Sequence, residues 1–151
     1  MFIYIDADAL PGALKELLCQ NAVRRKVETV FVANKAVSLF ASPYLRREIV
    51  APVPDSADHY IASRAVQGDL AVTADIPLAK ALVDNGVVVI DHRGKSFSSD
   101  NINEILASRD LMQELRDLDE VSTKTRPFGP KDKRLFADAL DRELTKLLRG
   151  R

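Results

Sequence analysis

A short apolar run, Phe2 to Ile5, passes straight into Asp6-Ala7-Asp8-Ala9. Apolar residues in unbroken succession suit a strand buried on both faces, so two carboxylates are delivered to the loop over its carboxyl end. In open α/β sheets ligands bind at that edge. The run Leu70 to Thr73 repeats the device, being followed by Ala74-Asp75, and Asp55-Ser56-Ala57-Asp58 opens a helical stretch just after another strand. Three strand ends therefore supply carboxylates to one edge of a parallel sheet. Apposed carboxylates repel one another, and a cation or shared protons must relieve the repulsion. Hard oxygen ligands suit magnesium or manganese rather than zinc or copper. Asp6 and Asp75 are the expected pair of ligands, with Asp58 or Asp8 in support.

Each of these residues also has a plainer reading. Asp8 could cap the first helix and Asp55 the second, with Asp58 in its first turn, where negative charge favours the helix dipole. Asp69 reads as a turn residue. Thr73 could orient a carboxylate or a water, or be only a β-branched strand residue. Asn34 could bind substrate or stabilise a turn. His92-Arg93-Gly94-Lys95 places cations near the same edge, with Gly94 allowing close approach of a phosphate; the alternative is a solvated loop. A second cationic stretch holds Lys124, Arg126, Lys131, Lys133 and Arg134. Phe128 within it could stack on a base or anchor the loop on the core.

These residues need a frame to hold them. Of 151 residues 46% are hydrophobic, enough for one domain with a single layered core. Strand-like runs at 2–5, 27–33, 48–53, 70–73 and 87–90 alternate with helical patterns, the order that builds right-handed βαβ units. Pro52 confines the third run to an edge or an end. Beyond residue 90 the pattern turns helical, starting with Asn101 and Glu104 spaced as a capping box and continuing through Ile102, Ile105, Met112 and Leu115. A polar break from Ser122 to Pro130 precedes a last amphipathic helix bearing Phe136, Leu140, Leu144 and Leu147. It would pack on the sheet or in a homodimer. The expectation is one domain over 1–151, an α/β core over 1–90 with a helical extension over 91–151. The sheet is expected to have five mainly parallel strands in the order 3-2-1-4-5, with helices on both faces.

Several function classes are excluded at this level. Twenty-two basic residues balance twenty-two acidic ones, so no global positive field drives nucleic-acid binding. No apolar run approaches the roughly 20 residues needed to cross a bilayer, and the amino terminus does not read as a signal peptide, which points to the cytoplasm. Cys19 is the single cysteine, which rules out an intrachain disulfide and a thiolate zinc site. No Gly-x-Ser-x-Gly elbow, Walker motif or dinucleotide glycine pattern occurs.

Taken together, Asp6-Ala7-Asp8-Ala9 with Pro11, Val32-Ala33-Asn34, Ala57-Asp58 with Ile61, Gly68-Asp69, Thr73-Ala74-Asp75-Ile76 with Leu78-Ala79, Arg93-Gly94, Asn101-Ile102 and Phe136 resemble the bacterial YaiI/YqxD family. This is an uncharacterised group with a PIN-like domain, and the resemblance runs over nearly the whole chain. The family usually has cysteine between Ala9 and Pro11; here Leu10 stands there, so no thiol role carries over. Similarity to PIN domains implies a magnesium- or manganese-dependent ribonuclease site, with Asp6, Asp58 and Asp75 at the acidic positions. The reaction expected is hydrolysis of single-stranded RNA by metal-activated water, with Asn34, Thr73, Arg93 and Lys95 available to the substrate. Two other readings stay open. A strand followed by Asp-x-Asp also looks like the opening of haloacid-dehalogenase-type phosphatases, with Asp6 as nucleophile and Thr73 and Lys80 as imperfect partners. The third is a non-catalytic module that binds RNA or protein.

Overall fold

The computed structural model describes residues 1–117 and 127–150, apart from the side chains of Ala9 and 112–117. Strand β1 (Phe2–Asp6) is central because its apolar run is paired on both sides. It runs parallel to β2 (Glu28–Ala33) with Ile5 opposite Phe31, and parallel to β4 (Leu70–Val72) with Ile5 opposite Val72. The other strands are β3 (Leu45–Ile49), β5 (Val88–Ile90) and β6 (Ser96–Phe97). The sheet order is β3-β2-β1-β4-β5-β6, which is the expected order with one strand added. The added β6 pairs antiparallel with β5. This is an α/β architecture of the PIN-like kind.

The third strand lies earlier than expected. Val50 and Val53 suggest a strand over 48–53, but prolines at 52 and 54 lack the N–H that a ladder requires. The pairing instead uses Leu45 to Ile49 opposite Thr29 to Ala33, and Val50 makes a last hydrogen bond to Ala33 O at 2.8 Å before the chain leaves the sheet. Arg46, Arg47 and Glu48 give this edge strand the charge that discourages pairing with another chain.

Because side chains alternate along a strand, β1 sends Tyr4 to one face and Ile3 and Ile5 to the other. On the Tyr4 side, helices α2 (Ser56–Arg64), α3 (Ile76–Asp84) and α4 (Ile102–Asp117) bury Ile61, Leu78, Leu82 and Ile102 against Val30, Ala71 and Val89. On the opposite side, α1 (Gly12–Arg25) and α5 (Pro130–Arg149) bury Leu14, Leu18, Phe136, Leu140 and Leu144 against Phe31, Val72 and Ile90. The helices beyond residue 90 thus complete both outer layers, and the last one covers the sheet. Each fully buried Leu or Phe in such a layer contributes about 1.5–3 kcal/mol relative to exposure. Among the described residues no helix is long and apolar enough to cross a membrane.

The β5–β6 loop docks α5. Gly94 has φ +86°, and a Cβ there would lie 2.4 Å from Leu135 O, so only glycine permits the approach. Beside it the Arg93 guanidinium donates to Asp132 Oδ2 at 2.8 Å and lies 5.9 Å from the centre of the Phe128 ring. Asp132 is buried in the first turn of α5, where it also accepts the Gly129 N–H at 3.0 Å. The close approach attributed to a phosphate at Gly94 is therefore made by the α5 backbone. Phe128 anchors its loop on the core. Lys124, Arg126 and most of the polar break lie outside the described residues.

Candidate functional site

The chain from β1 crosses over through α1 on one face, whereas the chain from β4 crosses through α3 on the other. Between β1 and β4 the connections therefore diverge, and such a crevice at the carboxyl ends of parallel strands is a ready-made binding site. Asp6, the last residue of β1, stands in it at 9% exposure. Thr73 follows β4 directly; its buried hydroxyl donates to Asp6 Oδ2 at 3.1 Å and accepts the Asp75 N–H at 3.0 Å. Asp75 caps α3, its Oδ1 accepting the Leu78 N–H at 2.9 Å with Pro77 in the first turn. One threonine hydroxyl thus ties the carboxylate of β1 to the backbone that presents the carboxylate of α3.

Two further carboxylates reach the crevice from neighbouring elements. Asp8 sits in the 3-10 turn Ala7–Ala9, and both its oxygens accept the Asn34 N–H, at 3.1 and 3.2 Å, which links the ends of β1 and β2. Asp58 lies in the first turn of α2 and its carboxyl stands beside that of Asp75. Asp6, Asp8, Asn34, Asp58 and Asp75 line one cleft of about 450 Å³, closed on the β3 side by the segment from Pro52 to Ala57. That size falls within the range of small-ligand sites, about 300–1,000 Å³.

Two of the acids in the cleft, Asp58 and Asp6, hold their protons more tightly than ordinary carboxyls do. Burial, then the neighbouring Asp75 carboxylate, then the charges of Asp6 and Asp55 push the Asp58 carboxyl up to about 7. Burial also raises Asp6, with Asp8 and Asp75 adding repulsion and the Thr73 hydroxyl pulling the other way. Such a cluster binds either protons or a cation near neutral pH. Its donors are all carboxylate oxygens, which suit a hard divalent ion. Among the described residues no three His, Cys, Asp or Glu side chains form a ready-made cage for an ion. Magnesium commonly uses one or two carboxylates and keeps several waters, so a cage is not required.

The other expected residues fall in different places. Asp8 does not cap α1, which begins at Gly12 after Pro11. Asp55 occupies the N-cap position of α2 in a left-handed conformation, φ 65°, without a capping hydrogen bond from its side chain; its carboxylate faces the cleft instead. Thr73 is fully buried, which makes it a holder of Asp6 rather than a surface for substrate. Arg93 is joined to Asp132, and Lys95 lines a separate depression with Asn101, Glu104, Ile105 and Ser108. Lys80 pairs with Asp84 along α3, so the lysine needed by a phosphatase reading is not among the cleft's lining residues. Asn101 turns its side chain back to Ser96 O and Ser98 N, so the expected capping box at α4 does not form. Asp69, read as a turn residue, is buried and clamps the Phe2 and Val66 N–H groups at 3.0 Å each. Ser56, His59 and Arg109 border the acidic cluster without having been singled out. The strand-end carboxylates, Thr73 and Asn34 carried a sequence signal, whereas these three did not.

The profile described as "Uncharacterized BCR, YaiI/YqxD family" matches residues 4–146. The chain belongs to the YaiI/YqxD family. Relatives named UPF0178 protein align along almost their whole length. The one from Syntrophobacter fumaroxidans is 45% identical over 97% of this chain and 95% of its own. That from Desulfotalea psychrophila is 47% identical over 97% and 99%, and that from Pseudomonas fluorescens 44% identical over 99% of each. No solved structure matches the chain significantly. Within this YaiI/YqxD member the acidic crevice lies inside the matched region, since Asp6 and Asp75 are both covered by the profile.

Proposed function

We propose that this YaiI/YqxD protein is a magnesium- or manganese-dependent phosphodiesterase that hydrolyses single-stranded RNA with water as the nucleophile. The observation that carries the reading is the cluster of Asp6, Asp58 and Asp75, three acids held together at the β1/β4 crevice with Asp58 pushed up to about 7. A fold tolerates such repulsion where the acids have work to do. The resemblance of the same three positions to the acidic residues of PIN domains points the same way.

Asp6 and Asp75 would hold the cation, with Asp58 and Asp8 beside them. When bound, the ion would neutralise charge on the phosphoryl oxygens and acidify a water molecule. The chain's own part is orientation and proton handling. Thr73 fixes Asp6 from behind, and the α3 amino terminus fixes Asp75 through Leu78 N–H. Asp58 Oδ is suited to accept the proton of the attacking water, because a group that titrates near the working pH is an efficient base. The Asn34 side borders the cleft where a strand of RNA would enter.

The test is incubation of the purified protein with end-labelled single-stranded RNA, and separately with a phosphomonoester, with manganese or with a chelator. The reading expects manganese-dependent RNA cleavage, lost in Asp6→Asn and Asp75→Asn, and no monoester turnover. Monoester turnover through a phosphorylated Asp6 would replace it with the phosphatase. RNA binding without cleavage in manganese would replace it with a binding module.

A further inference from the structure

The acidic cleft is not the whole of the concave surface around Asp58 and Asp75. A second depression, of about 360 Å³, shares Asp55, Asp58 and Asp75 with it and is completed by His59 and Pro77 and by Arg109 of α4. The two depressions make one groove past the same carboxylates. Arg109 is exposed, and its contact with the adjacent Asp110 is 3.5 Å between two open side chains, which constrains it little. Its position is fixed by the helix: Ile102 is buried and Ile105, one turn before Arg109, packs partly buried on the same core as α3. Among the described residues Arg109 is the one lysine or arginine that lines either depression.

A single-stranded polyanion entering this groove meets a line of carboxylates. A cation at Asp6 and Asp75 would answer for the reacting phosphate alone, and the next phosphate along the strand would face Asp55 and Asp58 without compensation. A guanidinium is the side chain best matched to a phosphate, since its planar donors bind two oxygens at once. We propose that Arg109 is a strand-binding residue that holds the phosphate neighbouring the scissile one, and that the depression it closes is the subsite along which the substrate extends. This deepens the phosphodiesterase reading and rests on it. The consequence is a preference for oligonucleotides over small diesters, set from α4 rather than from the carboxylates.

The experiment measures manganese-dependent hydrolysis of a single-stranded oligonucleotide and of bis(4-nitrophenyl) phosphate, a diester with no neighbouring phosphate. Wild type, Arg109→Gln, Arg109→Lys and, as a control on the exposed face of α5, Arg142→Gln are compared. Arg109→Gln should raise KM for the oligonucleotide about tenfold with kcat little changed, and flatten its salt dependence by about one phosphate contact. Hydrolysis of the small diester should be unchanged, Arg109→Lys should recover part of the loss, and Arg142→Gln should match wild type. Equal losses on both substrates, or unaltered oligonucleotide KM in an active Arg109→Gln protein, would overturn the subsite while leaving the phosphodiesterase in place. Wild type inactive on both substrates would overturn the underlying reading and the subsite with it.

Discussion

Replacing Asp58 by asparagine removes the acid that the fold perturbs most while keeping its shape. Folding raises its carboxyl from 3.8 to about 7. The folded state therefore binds the Asp58 proton more tightly than the unfolded state does, so the stability associated with it is full below about pH 4 and is lost as pH rises towards 7. At 1.36 kcal/mol per tenfold change in proton affinity, the whole shift corresponds to roughly 4 kcal/mol. Asp58 is only partly buried, and solvent screening reduces this to about 1–2 kcal/mol. Against it stands the favourable charge in the first turn of α2, worth about 0.3–1 kcal/mol. Metal-free Asp58→Asn should accordingly be more stable than wild type by about 1 kcal/mol at pH 8, raising Tm by roughly 2–4 °C for a chain of this size. The advantage should vanish near pH 4, where both side chains are neutral. Thermal melts of the two proteins from pH 4 to pH 8 in chelator read this directly. A variant less stable than wild type at pH 8, by an amount that does not grow as pH falls, would mean that Asp58 is only a helix-end charge.

Thr73→Val removes the hydroxyl that donates to Asp6, so carboxyl-carbon NMR should find Asp6 titrating higher still, with a stability loss of about 1–2 kcal/mol for the broken buried hydrogen bond. An unmoved Asp6 titration would show that Thr73 does not hold it. Gly94→Ala should cost about 2 kcal/mol or more in denaturant melts, because a Cβ at φ +86° collides with Leu135 O. Leu140→Ala, at the centre of the α1/α5 layer, should cost about 2–5 kcal/mol; a loss below 1 would mean that α5 is not part of the core.

The strand-end carboxylates were legible because two local signals coincide at each. An apolar run announces a buried strand, and an acid directly after it has one place to go, the carboxyl edge of the sheet. Ile5-Asp6 and Thr73-Ala74-Asp75 both satisfy this, and the alternation of strands with helices then brings β1 beside β4. Where the fold departs from expectation, the deciding partner is far away in sequence. Arg46, Arg47 and Glu48 do not look like strand residues, and β3 is made by its pairing with β2. Strand β6 has two residues, too few for any period to show. Arg93 and Gly94 have the composition of a phosphate loop, yet their partners are Asp132 and Leu135 on α5. Asp69 reads as a turn because the N–H group that it accepts from Phe2 lies 67 residues earlier. Arg109, an exposed residue on an amphipathic helix, carries no signal of its own until α4 is set beside α3.

If Asp6, Asp58 and Asp75 act as one cation-binding unit, calorimetric titration of manganese into the metal-free protein at pH 6.5, repeated in buffers of different ionisation heat, will register it. Binding of a cation to acids that hold a proton must release that proton. The expected result is one site, release of a fraction of a proton to one proton, binding strongly weakened in Asp6→Asn and Asp75→Asn, and proton release reduced in Asp58→Asn. Manganese binding that is indifferent to all three substitutions, or no binding in the wild type, would contradict it.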